Sequence, residues 1–159
     1  MAIYMKWSDG IKGQVTAHGF EDDIEMTPLQ FSARHPAVTA QLGATSSQSI
    51  YPSISEIVIT KRLDLASPAL FLCTLDGKHV RELEFYFTRT ASVAVQTFLE
   101  IRLKAALFTG YSFSGTGVDT PVESLSINFV AIDFVYIAVD AAGKSLGQYP
   151  VTWDLRRNL

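Results

Sequence analysis

The alternation of apolar and polar side chains across residues 93–108 constrains the fold of this chain more than any other feature of its sequence. One face of the run collects Val95, Thr97, Leu99, Ile101, Leu103, Ala105 and Leu107, and the other collects Gln96, Glu100, Arg102 and Lys104. A period of two residues is that of a β-strand, whereas a helix repeats every 3.6 residues. At about 3.3 Å per residue the run extends beyond roughly 40 Å, so the sequence predicts one unusually long strand.

Other runs supply partners for this strand. Residues 83–87 alternate in the same way, and residues 90–92 can form the turn of a β-hairpin. Shorter apolar runs predict strands at residues 3–7, 11–15, 24–31, 57–62 and 149–155. Residues 125–136 change phase near Phe129, which predicts a bulge there. The fold class predicted is mainly β, an antiparallel β-barrel or sandwich of about seven or more strands, built as one domain over residues 1–159.

One segment has the signals of a short flanking α-helix. Ser67 can cap its first turn, Pro68 suits the first helical position, and Gly77 can end it with a positive φ. Asp64 is an alternative cap one turn earlier. Cys73 falls inside this helix, where a buried, inert thiol is the simplest interpretation.

Two long segments without apolar periodicity predict loops. Residues 36–49 are small and polar, and residues 110–121 contain three glycines and a Val-Asp-Thr-Pro turn. Loops of this length are usually functional or disordered, so both are candidates for contact with a partner. The candidate contact residues are Leu42, Gly43, Thr45, Ser46, Ser47, Gln48, Gly115, Thr116, Val118 and Asp119.

Composition narrows the class of partner. Hydrophobic residues make up 48% of the chain and charged residues only 18%, against about 25% charged in an average soluble protein, which predicts that part of the surface meets another subunit. The net charge of −3 and the lack of a Lys/Arg cluster argue against nucleic acid and anionic membranes. With no apolar run of roughly 18 residues and a single cysteine, we expect the chain to start in the cytoplasm.

The polar residues do not select an enzyme class. The three histidines are His18, His35 and His79, and their spacing is not that of a zinc site. The glycines at residues 115–117 lack the remainder of a nucleotide-binding motif, and no serine occupies a hydrolase elbow. Glu82, Glu84 and the acidic stretch at residues 21–25 are interpreted as solvated surface rather than a catalytic dyad or a calcium site. We therefore predict no catalysis, no metal and no cofactor.

Six short segments occur in the order and spacing of a known family. They are Ile11-Lys12-Gly13 with His18 and Ile24-Glu25, Ser55-Glu56-Ile57-Val58-Ile59-Thr60-Lys61, Asp64 with Ser67-Pro68, Asp76-Gly77-Lys78-His79, Glu123-Ser124-Leu125-Ser126-Ile127-Asn128-Phe129, and Trp153-Asp154-Leu155-Arg156-Arg157-Asn158. Taken together, they resemble the Hcp family, the inner-tube proteins of bacterial type VI secretion systems.

The resemblance implies a compact β-barrel with a flanking helix, six copies of which close into a ring, with rings stacking into a hollow tube. It also implies a contractile sheath outside, a spike protein of the VgrG type at the tip, small effectors in the lumen and export without a signal peptide. Under this interpretation the candidate contact residues lie at subunit interfaces, and no toxin domain follows Leu159.

Two alternatives remain open. A tail-tube protein of a phage-like particle has a related fold and assembles similarly. A small β-barrel enzyme or ligand-binding protein would instead be a monomer or dimer with a concave site of convergent polar groups.

Overall fold

The chain folds into one large antiparallel sheet, a short two-stranded sheet and a helix. The computed structural model describes residues 1–7, 10–35, 51–90 and 94–159. Within these ranges the elements are β1 (Ala2–Trp7), β2 (Ile24–Met26), β3 (Leu29–Gln30), β4 (Ala33–Arg34), β5 (Ser53–Ile54), β6 (Ile57–Arg62), α1 (Ser67–Asp76), β7 (His79–Thr90), β8 (Val95–Ser114), β9 (Val122–Asn128), β10 (Ala131–Val139) and β11 (Ser145–Asp154). The predicted mainly β fold class with one short helix is confirmed.

The large sheet closes on itself as a barrel. Its strands follow the order β2-β1-β7-β8-β9-β6-β3. Because β2 pairs with β1 and β3 pairs with β6, the short segment 24–30 joins the two ends of this order. The amide of Thr27 donates to the carbonyl of Thr60 at 2.9 Å, which completes the closure beside Pro28. The barrel is filled by apolar side chains, among them Met5, Ile59, Leu83, Phe85, Leu103, Phe108 and Leu125.

The long strand predicted from the alternation is present as β8, but it does not keep one apolar face. Ile101 and Leu103 are buried, whereas beyond them the buried residues are Ala106 and Phe108. Ala105 has a φ of 49°, in the left-handed region, and this rotates the following residues to the other phase. The prediction that Ala105 and Leu107 continue the apolar face is therefore wrong, and β8 bends at this point.

The second predicted loop begins later than the sequence suggested. The strand β8 continues through Gly110 to Ser114, and Ser114 pairs with Val122 at the start of β9. The interpretation of residues 110–114 as loop is wrong, because pairing with β9 holds Gly110, Ser112 and Ser114 extended between the strand formers Tyr111 and Phe113. The connection is reduced to residues 115–121, all of which lie between β8 and β9.

The phase change near Phe129 is a break between two strands rather than a bulge within one. The strand β9 ends at Asn128 opposite Leu107, and β10 begins at Ala131 opposite Lys104. Both strands therefore run along the same partner, β8. The hairpin of β10 and β11 extends from the barrel at the N-terminal half of β8.

The helix α1 packs on the barrel through Leu70 and Cys73, which are both buried. Gly77 ends it with a φ of 61°, as predicted, and its amide donates to the carbonyl of Cys73. Ser67 lies within the first turn rather than at the cap, which is Ala66. The predicted cap is therefore wrong by one residue, because the hydroxyl of Ser67 has other partners. Burial raises the pKa of the Cys73 thiol.

Candidate assembly surfaces

A buried ion pair joins segments that are far apart in the sequence. The side chains of Lys61 on β6 and Glu123 on β9 are fully buried. Lys61 Nζ lies 2.6 Å from Glu123 Oε1 and 2.7 Å from Asp64 Oδ1, and it donates to the carbonyl of Arg62 at 2.9 Å. Burying a charge is costly unless its donors and acceptors are satisfied, and all three ammonium protons have acceptors here.

Two hydroxyls complete this network. Ser67 Oγ donates to Glu123 Oε1 at 2.8 Å and accepts from the amide of Asp64 at 2.9 Å. The hydroxyl of Tyr111 donates to Glu123 Oε2 at 2.6 Å. Burial, with this hydrogen bond and the nearby carboxylate, raises the pKa of Tyr111 to about 12. The network ties β6, β8, β9 and the start of α1 together. Because the pair is closed to solvent, it serves the fold rather than a reaction.

One face of the sheet forms a wall of polar side chains, termed here the polar wall. Its ionisable members are Lys6, Glu82, Glu84, Glu100, Arg102, Lys104 and Asp133. The register places Lys6 beside Glu84, Glu84 beside Arg102, and Arg102 beside Asp133. Carboxylates and cations therefore alternate across four neighbouring strands and nearly balance in charge.

Many of these charges are paired within the wall. Arg102 Nη2 lies 2.9 Å from Glu100 Oε2, and Lys104 Nζ lies 2.9 Å from Asp133 Oδ2. Burial opposes the charge on Asp133, but hydrogen bonds from Lys104 and Thr152 hold the pKa of Asp133 below its usual value. The wall is thus a polar surface in which part of the charge is neutralised by ion pairs between neighbouring side chains.

Next to the wall, the acidic stretch at residues 21–25 is only partly solvated, because Asp23 is buried. The amide of Gly13 donates to the carbonyl of Asp22 at 2.7 Å, which folds residues 11–23 back on themselves. Phe20 then stacks on Tyr4, with ring centroids 4.7 Å apart. Burial raises the pKa of Asp23 to about 6, with Lys6 opposing the shift. The prediction of a fully solvated stretch is wrong at this residue.

We expect Asp23→Asn to stabilise the fold near neutral pH. A carboxyl whose pKa rises from 3.8 to about 6 on folding contributes stability below pH 4 that is lost as the pH rises through 6. The unfolding free energy of the wild-type chain, measured relative to Asp23→Asn by urea titration, should therefore fall between pH 4 and 6, by about 2 kcal/mol. A difference that stays constant over this range would contradict the expectation.

The β10–β11 hairpin exposes an apolar surface, termed here the hairpin patch. It consists of Phe134, Tyr136, Tyr149 and Val151, which are between 36% and 63% exposed. In the register, Phe134 lies opposite Val151 and Tyr136 lies opposite Tyr149, so all four side chains share one face. Within the described chain β11 pairs only with β10, which leaves its outer edge open. The sequence analysis did not assign these residues to a site, although β10 carries large apolar side chains in both phases.

Four of the ten predicted contact residues lie in the described part of the chain. Leu42, Gly43, Thr45, Ser46, Ser47 and Gln48 lie outside the described residues. Gly115, Thr116, Val118 and Asp119 are exposed in the connection after β8. The amide of Leu63 donates to the carbonyl of Pro121 at 2.9 Å, which ties the end of this connection to the segment before α1.

No three His, Cys, Asp or Glu side chains among the described residues are grouped as metal ligands. No helix in the described ranges has the length and apolar character needed to cross a bilayer.

Comparison with solved structures shows the same fold. A structure titled as a type six secretion system protein superposes with a TM-score of 0.87 at 24% identity, covering 99% of this chain and 98% of that one. A type VI secretion system effector from Yersinia pestis gives a TM-score of 0.76 at 19% identity, covering 96% and 99%. Hcp1 from Salmonella typhimurium gives 0.75 at 20% identity, covering 99% and 96%.

Sequence comparison identifies the family. The protein hcp1 of Pseudomonas aeruginosa strain PAO1 is 26% identical over 109 residues, which cover 67% of each chain. The sequence model of the family described as "Type VI secretion system effector, Hcp" matches residues 4–136. This match covers most of the chain, so the protein belongs to the Hcp family of type VI secretion, a family of secreted tube proteins.

Proposed function

We propose that this chain is the subunit of a type VI secretion inner tube. Six copies close into a ring, rings stack into a hollow tube, and small effectors travel in the lumen. Family membership supports the general role, and the arrangement of the polar wall and the hairpin patch supports the assembly.

The observation that carries the proposal is the apolar face of the hairpin that is left exposed. On one face Asp133 and Thr152 continue the polar wall and the apolar Ile137 beyond them is buried, whereas on the other face the side chains of the hairpin patch are apolar and 36% to 63% exposed. In the barrel, the equivalent apolar face of β7 and β8 is core. An apolar face without a cover is typical of a surface that a neighbouring subunit occupies. The hairpin is therefore the part of each subunit that reaches the next one.

The same contact would turn the polar wall toward the axis of the ring. If each hairpin lies against the next subunit, the polar walls of successive subunits follow one another around the axis. The apolar faces then point away from the axis, so the polar wall lines the lumen. Because its cations and carboxylates nearly balance and pair with each other, the wall lets a cargo slide without strong charge attraction.

The partners follow from the family. A contractile sheath surrounds the tube, a spike of the VgrG type sits at its tip, and the effectors are bound in the lumen. The subunit assembles in the cytoplasm and is exported by the machine that it builds, without a signal peptide. The connection between β8 and β9 at residues 115–121, which includes Val118 and Asp119, is a candidate for the contact between stacked rings.

The proposal is tested by measuring the mass of the purified chain and imaging it in negative stain. Wild-type protein should form rings of about six times the 17.5 kDa chain mass. Tyr149→Asp should abolish the rings, because truncating an aromatic anchor at an interface costs at least about 2 kcal/mol per contact and the new carboxylate would be buried. Gln148→Asp is the matched control, because Gln148 is exposed on the opposite face of β11.

Rings in the wild type and in Gln148→Asp, but not in Tyr149→Asp, would support the proposal. Wild-type protein that stays monomeric at high concentration would refute it. Equal loss of rings in both variants would place the contact at the strand edge rather than on the hairpin patch.

A further inference from the structure

A second apolar surface lies on α1, and it is termed here the helix patch. It consists of Leu63, Phe71, Leu72 and Leu75, which are between 39% and 67% exposed. Phe71 and Leu75 are four residues apart and Leu72 and Leu75 three, so they are neighbours on the helix surface. Leu63 and Phe71 line one cavity of about 340 Å³ together with Pro68.

The composition of α1 is not that of a helix in contact with water. A surface helix carries charged residues on its outer face, whereas α1 has a single charged residue, Asp76, at its last position. Leu70 and Cys73 already form the face of α1 that is buried against the barrel. The exposed side chains of Leu72 and Leu75 are therefore not part of the core of the monomer. Like the hairpin patch, they need another surface to cover them.

The two patches lie at opposite ends of β8. The hairpin pairs with β8 between Leu99 and Lys104, while α1 contacts β8 at Phe71, whose ring lies 5.1 Å from that of Tyr111. Ten residues of strand separate Ile101 from Tyr111, a distance of roughly 30 Å. One patch therefore cannot cover the other within a single chain.

We infer that the helix patch of one copy receives the hairpin patch of the next copy in the ring. This inference rests on the proposed function and names the two surfaces that join. A ring of identical subunits needs a contact between two unlike surfaces, since a surface that pairs with itself stops at a dimer. The two patches are unlike, carry no charge and point to a head-to-tail contact along β8.

The exposed areas are also matched. From the exposed fractions, each patch offers roughly 400 Å² of apolar surface. A stable interface buries about 800 Å² on each partner, of which the apolar centre is a part and the polar rim the remainder. The two patches thus supply about half of the area that such an interface buries on each partner, which suits an apolar centre, and their contact hides both apolar surfaces at once.

The inference is tested by mixing two variants, Tyr149→Asp and Leu72→Glu. Each change is at an exposed position, and circular dichroism will verify that each variant is folded. Alone, each variant should remain monomeric, because one of its two patches now carries a carboxylate and cannot be buried in the contact. Mixed at high concentration, they should form a dimer and nothing larger, because one intact hairpin patch meets one intact helix patch. Val95→Glu, an exposed apolar residue outside both patches, should keep its rings.

Cysteine cross-linking provides a second measurement. In a Cys73→Ser background, a chain that carries both Leu72→Cys and Tyr149→Cys should give an oxidised ladder up to the ring, and a chain with either cysteine alone should not. Rings in Leu72→Glu would overturn the inference while leaving the proposed function intact. The inference would also be overturned if both variants are monomeric but their mixture does not dimerise, and if the chain with both cysteines does not cross-link. A monomeric wild type would refute the proposed function itself.

Discussion

Glu123→Gln should lower the free energy of unfolding by about 3 to 5 kcal/mol, because it leaves the buried Lys61 ammonium without its carboxylate. The substitution keeps the shape of the side chain, removes its charge and replaces one of its two acceptor oxygens by an amide donor, so that either Tyr111 or the pair Lys61 and Ser67 also loses an acceptor. Asp64 stays within 2.7 Å of Lys61 Nζ, which places the expected loss toward the lower end of that range. For a domain of this size the melting temperature should fall by about 10 °C.

The matched control is Asp22→Asn, which makes the same carboxylate-to-amide change in an exposed ion pair. Lys12 Nζ lies 2.7 Å from Asp22 Oδ2, nearly the distance found in the buried pair, but both side chains are more than half exposed. Surface pairs contribute about 1 kcal/mol or less. Both variants are measured by urea unfolding. Equal losses would show that the buried network contributes no more than a surface pair.

A double variant separates the two charges. With Lys61→Met and Glu123→Gln together, no ammonium remains without a partner, so part of the lost stability should return. The remaining deficit then combines what the hydroxyls of Ser67 and Tyr111 lose with the cost of leaving the Asp64 carboxylate without Lys61. A double variant that is less stable than the sum of the two single losses would contradict this account.

The sequence places four residues of this network in segments that resemble the family, namely Lys61, Asp64, Ser67 and Glu123, but it does not show that they meet. The fifth, Tyr111, lies in a stretch that the sequence predicts to be a loop. The pairing of Lys61 with Glu123 spans 62 residues and depends on the register of β6 with β9. A contact over such a separation follows from the topology, and no local pattern signals it.

Most strands are predictable because their alternation is strong, but the strand predicted at residues 11–15 is wrong, since the structure describes these residues and has no strand there, and the bend in β8 is not predicted. Ala105 adopts a positive φ, and alanine gives no local signal for that conformation, as glycine or asparagine would. In contrast, Gly110 and Ser112 suggested a loop, yet pairing with β9 holds them in β8. In both cases the contacts of neighbouring strands override the intrinsic preference of the residue.

The hairpin patch was hidden from sequence reasoning for a different reason. Phe134 and Val151 lie in correctly predicted strands, and alternation alone does not reveal whether an apolar face is covered. That depends on how far the second layer of the barrel extends, which is a property of the whole fold. The low fraction of charged residues was the one sequence signal, since it predicted a surface in contact with another subunit without locating it.

The conformation of residues 11–23 depends on a close approach of two backbone segments at Gly13. A Cβ atom added to Gly13 would clash with the carbonyl oxygen of Asp23, and it would lie 2.7 Å from the carbonyl carbon of Asp23 and 2.8 Å from the Cα of Ile24. All three are backbone atoms, so no side-chain rotation relieves the overlap. The segments must separate by about 1 Å, which would break the hydrogen bonds from Gly13 to Asp22 and from Val15 to Asp23.

We therefore expect Gly13→Ala to lower the free energy of unfolding by about 3 kcal/mol, at the upper end of the cost of overpacking. Gly115→Ala is the matched control, because its added Cβ would meet the rings of Pro121 at 3.4 Å and Phe113 at 3.8 Å, both ordinary contacts, and its cost should stay below about 1 kcal/mol. Hydrogen exchange locates the damage. The amides of residue 13 and Val15, which donate the two broken hydrogen bonds, should lose protection in Gly13→Ala, while those of β8 and β9 keep theirs. Because Phe20 reaches Tyr4 only when this segment is folded back, its release would also uncover Asp23 beside the polar wall. Unchanged exchange at residue 13 and Val15 would mean that the two backbone segments are not in close contact.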